Sequence, residues 1–390
     1  MSFLERLLDG VVVKWKPLGE ALARTKGTKI TAGQMKEMHK EDAPLKIFAG
    51  GKTIAFVDFE DIPEKDINRE PSIIVKSRGF IEFDYYDKPF SHKNEMWSYH
   101  SKDENINIKF VYYFLKINES YFQNLGSKMQ MPQIATPDTD KFQIPIPPLK
   151  IQAEIVRILD TFTELTAELT AELTARQKQY EYYRDRLLTF EEDEADWKPL
   201  GEIGKIIRGT AITEKEANSG DYPVVGNAPS HNYFHDQSNR SGETIVIARS
   251  GVYAGLVSYW DIPIFLTDAF SIHPDNNVLS SKFLYYVLKK DQTKIHNMSK
   301  GAGVPHVRAK EFELYKVPVI PLPEQARIVA ILDKFDTLTT SIREGLPREI
   351  ALRQQQYEYY RDLLLTEILH HSKKGLQKDE RCEKKGVVLI

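Results

Sequence analysis

Trp15-Lys16-Pro17-Leu18-Gly19-Glu20 returns unchanged as Trp197 to Glu202. Two further landmarks repeat in the same order. IPIPPLKIQAEIVRILDTF, from Ile144, matches VPVIPLPEQARIVAILDKF, from Val317. Gln179-Tyr180-Glu181-Tyr182-Tyr183-Arg184-Asp185 recurs as Gln356 to Asp362. Three ordered matches mean an internal duplication: two copies of one unit of about 180 residues.

The segments between the landmarks match less well. Phe110 to Lys116 pairs with Phe283 to Lys289, and Ile73-Ile74-Val75 before Arg78-Gly79 resembles Ile245-Val246-Ile247 before Ser250-Gly251. SHKNEMWSYH, from Ser91, has no clear echo in FLTDAFSIHP, from Phe265. A repeated frame with divergent faces suits a chain that reads two different things.

Each copy ends in a long helical pattern. Ile151, Ile155, Ile158, Phe162, Leu165 and Leu169 follow a 4-3-4-3-4 spacing, a heptad seam. The step to Leu173 is a stutter, after which Tyr180, Tyr183 and Leu187 resume the rhythm. The second copy carries Ile328, Ile331, Phe335, Leu338 and Ile342, then Tyr357, Tyr360 and Leu364. Gly345-Leu346-Pro347 predicts a kink or break there, because proline lacks a backbone donor and clashes with the preceding turn. The matched pair is expected to pack as a coiled coil rather than as isolated core helices. Leu4-Glu5-Arg6-Leu7-Leu8 resembles the end of the first helix, which suggests a circular arrangement completed by the N-terminal stub.

The expected fold class is α+β: two variable domains of mixed α/β structure separated by two long helices, with an internal pseudo-twofold repeat. The expected layout is a helical stub at 1–14, a variable domain at 15–150 and a spacer helix at 151–190. A second variable domain at 191–323, a second spacer helix at 324–370 and a charged tail at 371–390 follow. Ser72 to Val75 and Thr244 to Ala248 read as buried strands. Segments 110–118 and 282–290 read as short helices, and Gly50-Gly51 and Gly301-Ala302-Gly303 as turns.

A net charge of −3 does not mark a nucleic-acid binder, so any basic groups serving DNA must be gathered on particular faces. In the first domain the candidates are Lys52, Lys76, Arg78, Lys93, Asn94, Lys128, Gln130 and Gln133. In the second they are Asn227, Arg249, Tyr253, Lys300, His306 and Arg308. Arginine and lysine suit guanine, asparagine and glutamine suit adenine, and any of them holds phosphate. Taken singly, each also reads as solvated surface charge, and location is the stronger observation. Ser77-Arg78-Gly79 and Arg249-Ser250-Gly251 occupy matching strand ends, and Lys128 and Lys300 matching loops.

Catalytic signatures are not found. Gly51-Lys52-Thr53 lacks the first glycine of a phosphate loop, since position 46 is Lys46. Pro147-Pro148 lacks the flanking residues of an amino-methyltransferase motif. His231 and His235 have metal-compatible spacing in a loop context, and Asp138-Thr139-Asp140-Lys141 only superficially resembles a nuclease cluster. The single cysteine, Cys382, excludes a disulfide framework and fits a reducing cytoplasm. No apolar run reaches the length of a membrane-spanning helix.

The duplicated layout resembles the specificity subunits of type I restriction-modification systems. The matching pieces are the segments at 145–160 and 318–339, the tandem Thr-Ala-Glu-Leu at 166–173, and both QYEYYRD segments. The tandem repeat is most similar to the subgroup with such spacer repeats. The resemblance implies a non-catalytic reader of double-stranded DNA with two target-recognition domains on an antiparallel helical pair. Each domain would read one half of a split, asymmetric site. It also implies two modification subunits and two motor-nuclease subunits as partners, with S-adenosylmethionine, ATP and Mg2+ on those partners and no cofactor in this chain. Leu165, Leu169 and Leu173 are the expected spacer positions, and Tyr182 and Tyr359 the expected partner patches. A self-contained methyltransferase or nuclease with a degenerate site, and a coiled-coil adaptor, remain as alternative readings.

Overall fold

A computed structural model describes residues 11–127, 130–231, 233–299, 304–341 and 343–379, with backbone alone at 367 and 369–379. The N-terminal match at Leu4 to Leu8, Lys128, Lys300, the Gly301–Gly303 turn and the tail beyond Asp379 lie outside the described residues. The chain divides into two compact units, one of residues up to Ala167 with those from Ala351, the other Glu168–Ile350.

In the first unit the sequence landmarks meet one another. The strand Lys14–Pro17 pairs antiparallel with Gln143–Ile146, Trp15 opposite Pro145. The amide of Leu18 then donates to the carbonyl of Phe142 at 2.8 Å. A four-stranded antiparallel sheet follows, ordered Leu22–Lys26, Trp97–Ser101, Ser72–Lys76, Glu82–Tyr86. Its central strand Ser72–Lys76 is buried along its length. Side chains alternate across a strand with period two. Ile73 and Val75 therefore join the main core with Phe110 and Phe114 of the helix Ile108–Ile117. Ile74 faces the other way, against Phe48 and Phe90. Those two belong to a three-stranded sheet, Ile54–Val57, Leu45–Phe48, Phe90–His92, whose last two strands run parallel.

The second unit repeats this plan. Asp196–Pro199 pairs with Lys316–Val319, Trp197 opposite Pro318. The four-stranded sheet runs Gly204–Arg208, Ala269–Pro274, Thr244–Ala248, Val257–Trp260. Ile245 and Ile247 face the helix Ser281–Lys290, and Val246 faces the smaller core. The three-stranded sheet is Phe234–His235, Tyr222–Val225, Phe265–Leu266. The segments from Ser91 and Phe265, without echo in sequence, hold the same two strand positions. A β-ladder is backbone chemistry, so it tolerates any side chains that keep the alternation.

Two buried contacts tie each frame together. Gln152 and Gln325 are fully buried. The Oε1 of Gln152 accepts from the amide of Asn107 at 2.8 Å, and its Nε2 donates to the carbonyls of Asn105 and Pro147. Gln325 does the same with Ser280, Val278 and Ile320. Asp160 accepts from the hydroxyl of Tyr113 and pairs with Lys109, both at 2.5–2.8 Å. Asp333 repeats both contacts with Tyr286 and Lys282.

The helix Leu149–Leu187 is continuous, starting two residues before the expected boundary. Its early stripe is Ile151, Ile155 and Leu159, rather than the expected Ile158, which is half-buried. These turns pack into a domain core together with Leu364, Leu365 and Ile368 of the helix Gly345–Asp379, a broader surface than one partner helix offers. Leu165, Leu169 and Leu173 are half-buried. In the first unit Phe162 stacks on Tyr360 at 5.4 Å. In the second, Phe335 stacks on Tyr183 at 5.7 Å, the corresponding pair of residues.

The expected break falls between the helix Leu322–Thr340 and Gly345–Asp379. Gly345 has φ +80°, and a Cβ there would lie 2.4 Å from the carbonyl oxygen of Thr337. Only glycine lets the chain fold back this closely. Pro347 sits in the first turn of the new helix, where its missing N–H costs nothing.

Candidate nucleic-acid interface

In each unit the loop after the central strand is pinned to a second loop. In the first, the Gly79 amide donates to Pro132 at 2.9 Å and the Ile134 amide to Ser77 at 3.0 Å. In the second, the Gly251 amide donates to Pro305 at 3.1 Å and the Val307 amide to Arg249 at 2.9 Å. Gly79 and Gly251 adopt φ +76° and +79°, a left-handed turn that favours glycine. The bridge partners are Arg78 with Gln133 and Ser250 with His306. The two arginines thus occupy matching loops, as their strand-end position suggests, but are staggered by one residue.

A third strand end joins them. Arg208 pairs with Phe270 as Lys26 pairs with Trp97. Gly209 and Gly27 follow, and a Cβ on either would collide with backbone carbonyls of the crossover between the sheets. Arg208 and Lys26 were not among the sequence candidates. The signal was present: Lys26-Gly27-Thr28-Lys29-Ile30-Thr31 parallels Arg208-Gly209-Thr210-Ala211-Ile212-Thr213. Both end in a threonine whose amide bonds a side chain three residues on, Gln34 or Glu216.

In the second unit Arg208, Arg249, His306 and Arg308 line one cleft of about 360 Å³ floored by Phe270 and Val307. Nδ1 of His306 is buried without a hydrogen-bond partner among the described residues. Arg249 is half-exposed, with its guanidinium 3.5 Å from Asp268. Asp268 also accepts from the hydroxyl of Ser250 and, at 3.4 Å, from the amide of Asn227. Tyr253 is exposed on the same loop as Ser250 and Gly251.

The first unit gathers less charge. Arg78, Asn94 and Gln130 are exposed and Gln133 is half-buried. Lys52 is exposed on the turn between Leu45–Phe48 and Ile54–Val57. Lys93 is paired with Glu95 at 2.6 Å. Burial works against the Glu95 charge, but bonding from Lys93 and its own amide, with the charges of Lys93 and Arg78, outweighs it and lowers the carboxyl pKa. Lys76, proposed from sequence for DNA, is instead buried between Glu82 at 2.6 Å and Asp84 at 2.8 Å. Desolvation would lower its pKa, but the two carboxylates reverse the sign and raise it. Its ammonium is committed within the unit.

The Asp138–Asp140 cluster is structural. Asp138 accepts from the amide of Ala135 at 2.6 Å, and Asp140 accepts from the hydroxyl of Tyr99 and pairs with Arg24. Among the described residues no group of His, Cys, Asp or Glu is placed to hold a metal ion, and no helix is long and apolar enough to cross a membrane.

The profile for the type I restriction modification DNA specificity domain matches twice, at residues 30–176 and 193–352. The chain belongs to that family. The specificity subunit of the EcoR124I/EcoR124II type I restriction enzyme of Escherichia coli is 37% identical, over 94% of this chain and 97% of its own length. The EcoprrI specificity subunit, also from Escherichia coli, is 32% identical over 88% and 92%. The fold agrees with the crystal structure of a type I restriction-modification S subunit from M. genitalium. Its TM-score is 0.65 at 21% identity, covering 92% of this chain and 96% of that one. A chain from a study of type I R-M complex assembly and conformational transition aligns with TM-score 0.55 at 14% identity, covering 91% and 97%. The two matched spans of the specificity family correspond to the two repeated units.

Proposed function

We propose that this specificity-family chain reads a bipartite, asymmetric duplex site, one half-site per unit, and carries no catalysis of its own. Methylation and cleavage then belong to partner subunits, two for modification and two for restriction, which hold S-adenosylmethionine, ATP and Mg2+. One observation carries this reading. The Gln152/Gln325 and Asp160/Asp333 contacts repeat across the units, while the loops around Arg78 and Arg249 differ in charge and register. A common frame with two different faces suits two different half-sequences. Methylation profiling of cells expressing the chain with its modification partner tests it. A two-part motif with an unread spacer is expected; unmethylated DNA despite an assembled complex contradicts it.

Partner docking follows from the exposed part of what is duplicated. Tyr182 is 59% and Tyr359 63% exposed. Each sits edge-on to the next tyrosine, at 5.4 and 5.3 Å with the same 76° angle. Exposed tyrosine is a frequent interface anchor, an apolar body with a polar tip. Two like patches suit two copies of one partner. Combining Tyr182→Ala with Tyr359→Ala should weaken assembly with the modification subunit at least tenfold, from about 1.4 kcal/mol or more lost per site. Sedimentation of the mixture gives the stoichiometry, and an intact complex with normal stoichiometry refutes the docking role.

A further inference from the structure

One arginine of the second unit's cleft, Arg249, has an opposite charge beside it, Asp268. A phosphate at Arg249 would be repelled by Asp268. A G·C pair differs: in the major groove guanine N7 and O6 are acceptors, and the neighbouring cytosine amino group is a donor. A guanidinium beside a carboxylate matches that pattern in one step along the pair. We infer that Arg249 and Asp268 read one G·C base pair, Arg249 on the guanine edge and Asp268 on the cytosine amino group. The inference rests on the DNA-reading function proposed above.

Three details fit the assignment. The Arg249–Asp268 contact of 3.5 Å uses one of five guanidinium N–H donors and leaves the fork open. Ser250 and Asn227 donate to Oδ2 of Asp268, holding the carboxylate in place while Oδ1 faces Arg249. The Val307–Arg249 backbone bond and the left-handed Gly251 fix the loop from which Arg249 projects. In the first unit Glu95 lies on the corresponding crossover but pairs with Lys93, and Arg78 is one residue out of register with Arg249.

The test uses the full chain assembled with its modification partner and duplexes carrying the methylated motif. Each guanine of the second half-site is replaced in turn by 7-deazaguanine, which lacks the N7 acceptor. One replacement should weaken binding about tenfold, the low end of a bidentate arginine contact. In an Arg249→Ala complex that same replacement should cost nothing further, because coupled partners are not additive. Arg249→Ala should also relax one position of the second half-site and leave the first unchanged. A second half-site without a sensitive guanine overturns the assignment on the unmodified protein, whether or not the variant folds. So do additive losses, or an even loss on all sequences with a salt slope reduced by about one, which marks a phosphate anchor. An unmodified complex that prefers no duplex sequence fails the broader DNA-reading function instead.

Discussion

Gln152→Leu or Gln325→Leu should destabilise the chain by about 3–6 kcal/mol, a large share of a domain's ordinary stability of about 5–15 kcal/mol. Each glutamine is fully buried and bonds one backbone amide and two backbone carbonyls. Leucine fills a similar volume but leaves all three groups without their partner, at about 1–2 kcal/mol each, since only the Pro147 and Ile320 contacts are fully buried. The bonded segments start the helices Ile108–Ile117 and Ser281–Lys290 and the long helices that follow, so the damage reaches the core. Arg327→Ala is the control. Its side chain is exposed and pairs with Glu324 one turn away, so a change within about 0.5 kcal/mol is expected. Urea denaturation of the full chain measures both. A Gln325→Leu midpoint equal to that of Arg327→Ala would show that the clamp carries no stability.

Inserting one Thr-Ala-Glu-Leu repeat after Leu173 should lengthen the unread spacer by one base pair and leave both half-sites unchanged. The insertion point lies inside the uninterrupted helix Leu149–Leu187, and the inserted sequence is one the helix already contains twice. Its threonines bond back along the helix, Thr166 to the carbonyl of Phe162 and Thr174 to that of Thr170. Four residues add roughly 6 Å, at about 1.5 Å each. A base pair rises about 3.4 Å, so two base pairs is the upper bound and an oblique helix gives one. Four residues also turn the helix roughly 40° past a full turn, and one base pair turns DNA by about 35°. Methylation of substrates differing only in spacer length reads the result. An active insertion variant that still prefers the parental spacer would sink the ruler.

Much of the frame was legible because its landmarks are side-chain chemistry. Trp15 and Pro145 recur as Trp197 and Pro318, and the structure pairs them in each unit, while Gln152 and Gln325 recur with corresponding backbone partners. The break before Gly345 was legible from a glycine and a proline. The crossover strands were not, because Phe90–His92 and Phe265–Leu266 share backbone pairing without sharing residues. Lys76 was misplaced because a lysine at a strand end looks alike in sequence whether it faces DNA or two carboxylates on the neighbouring strand. The cleft was half legible. Arg249 was legible from a strand end matching that of Arg78, and His306 and Arg308 from a polar loop, whereas Arg208 lies at a strand end whose repeated glycine, required by close backbone approach, was the better signal.

The central claim is that each unit reads its own half-site, and a domain exchange tests it most directly. Residues 15–150 are replaced by the first variable domain of a family member of known motif, and the DNA of cells expressing the hybrid with its modification partner is profiled for methylation. One half-site should change to that of the donor, with the other half-site and the spacer length retained. Changes in both halves, or in neither, would contradict independent reading by the two units.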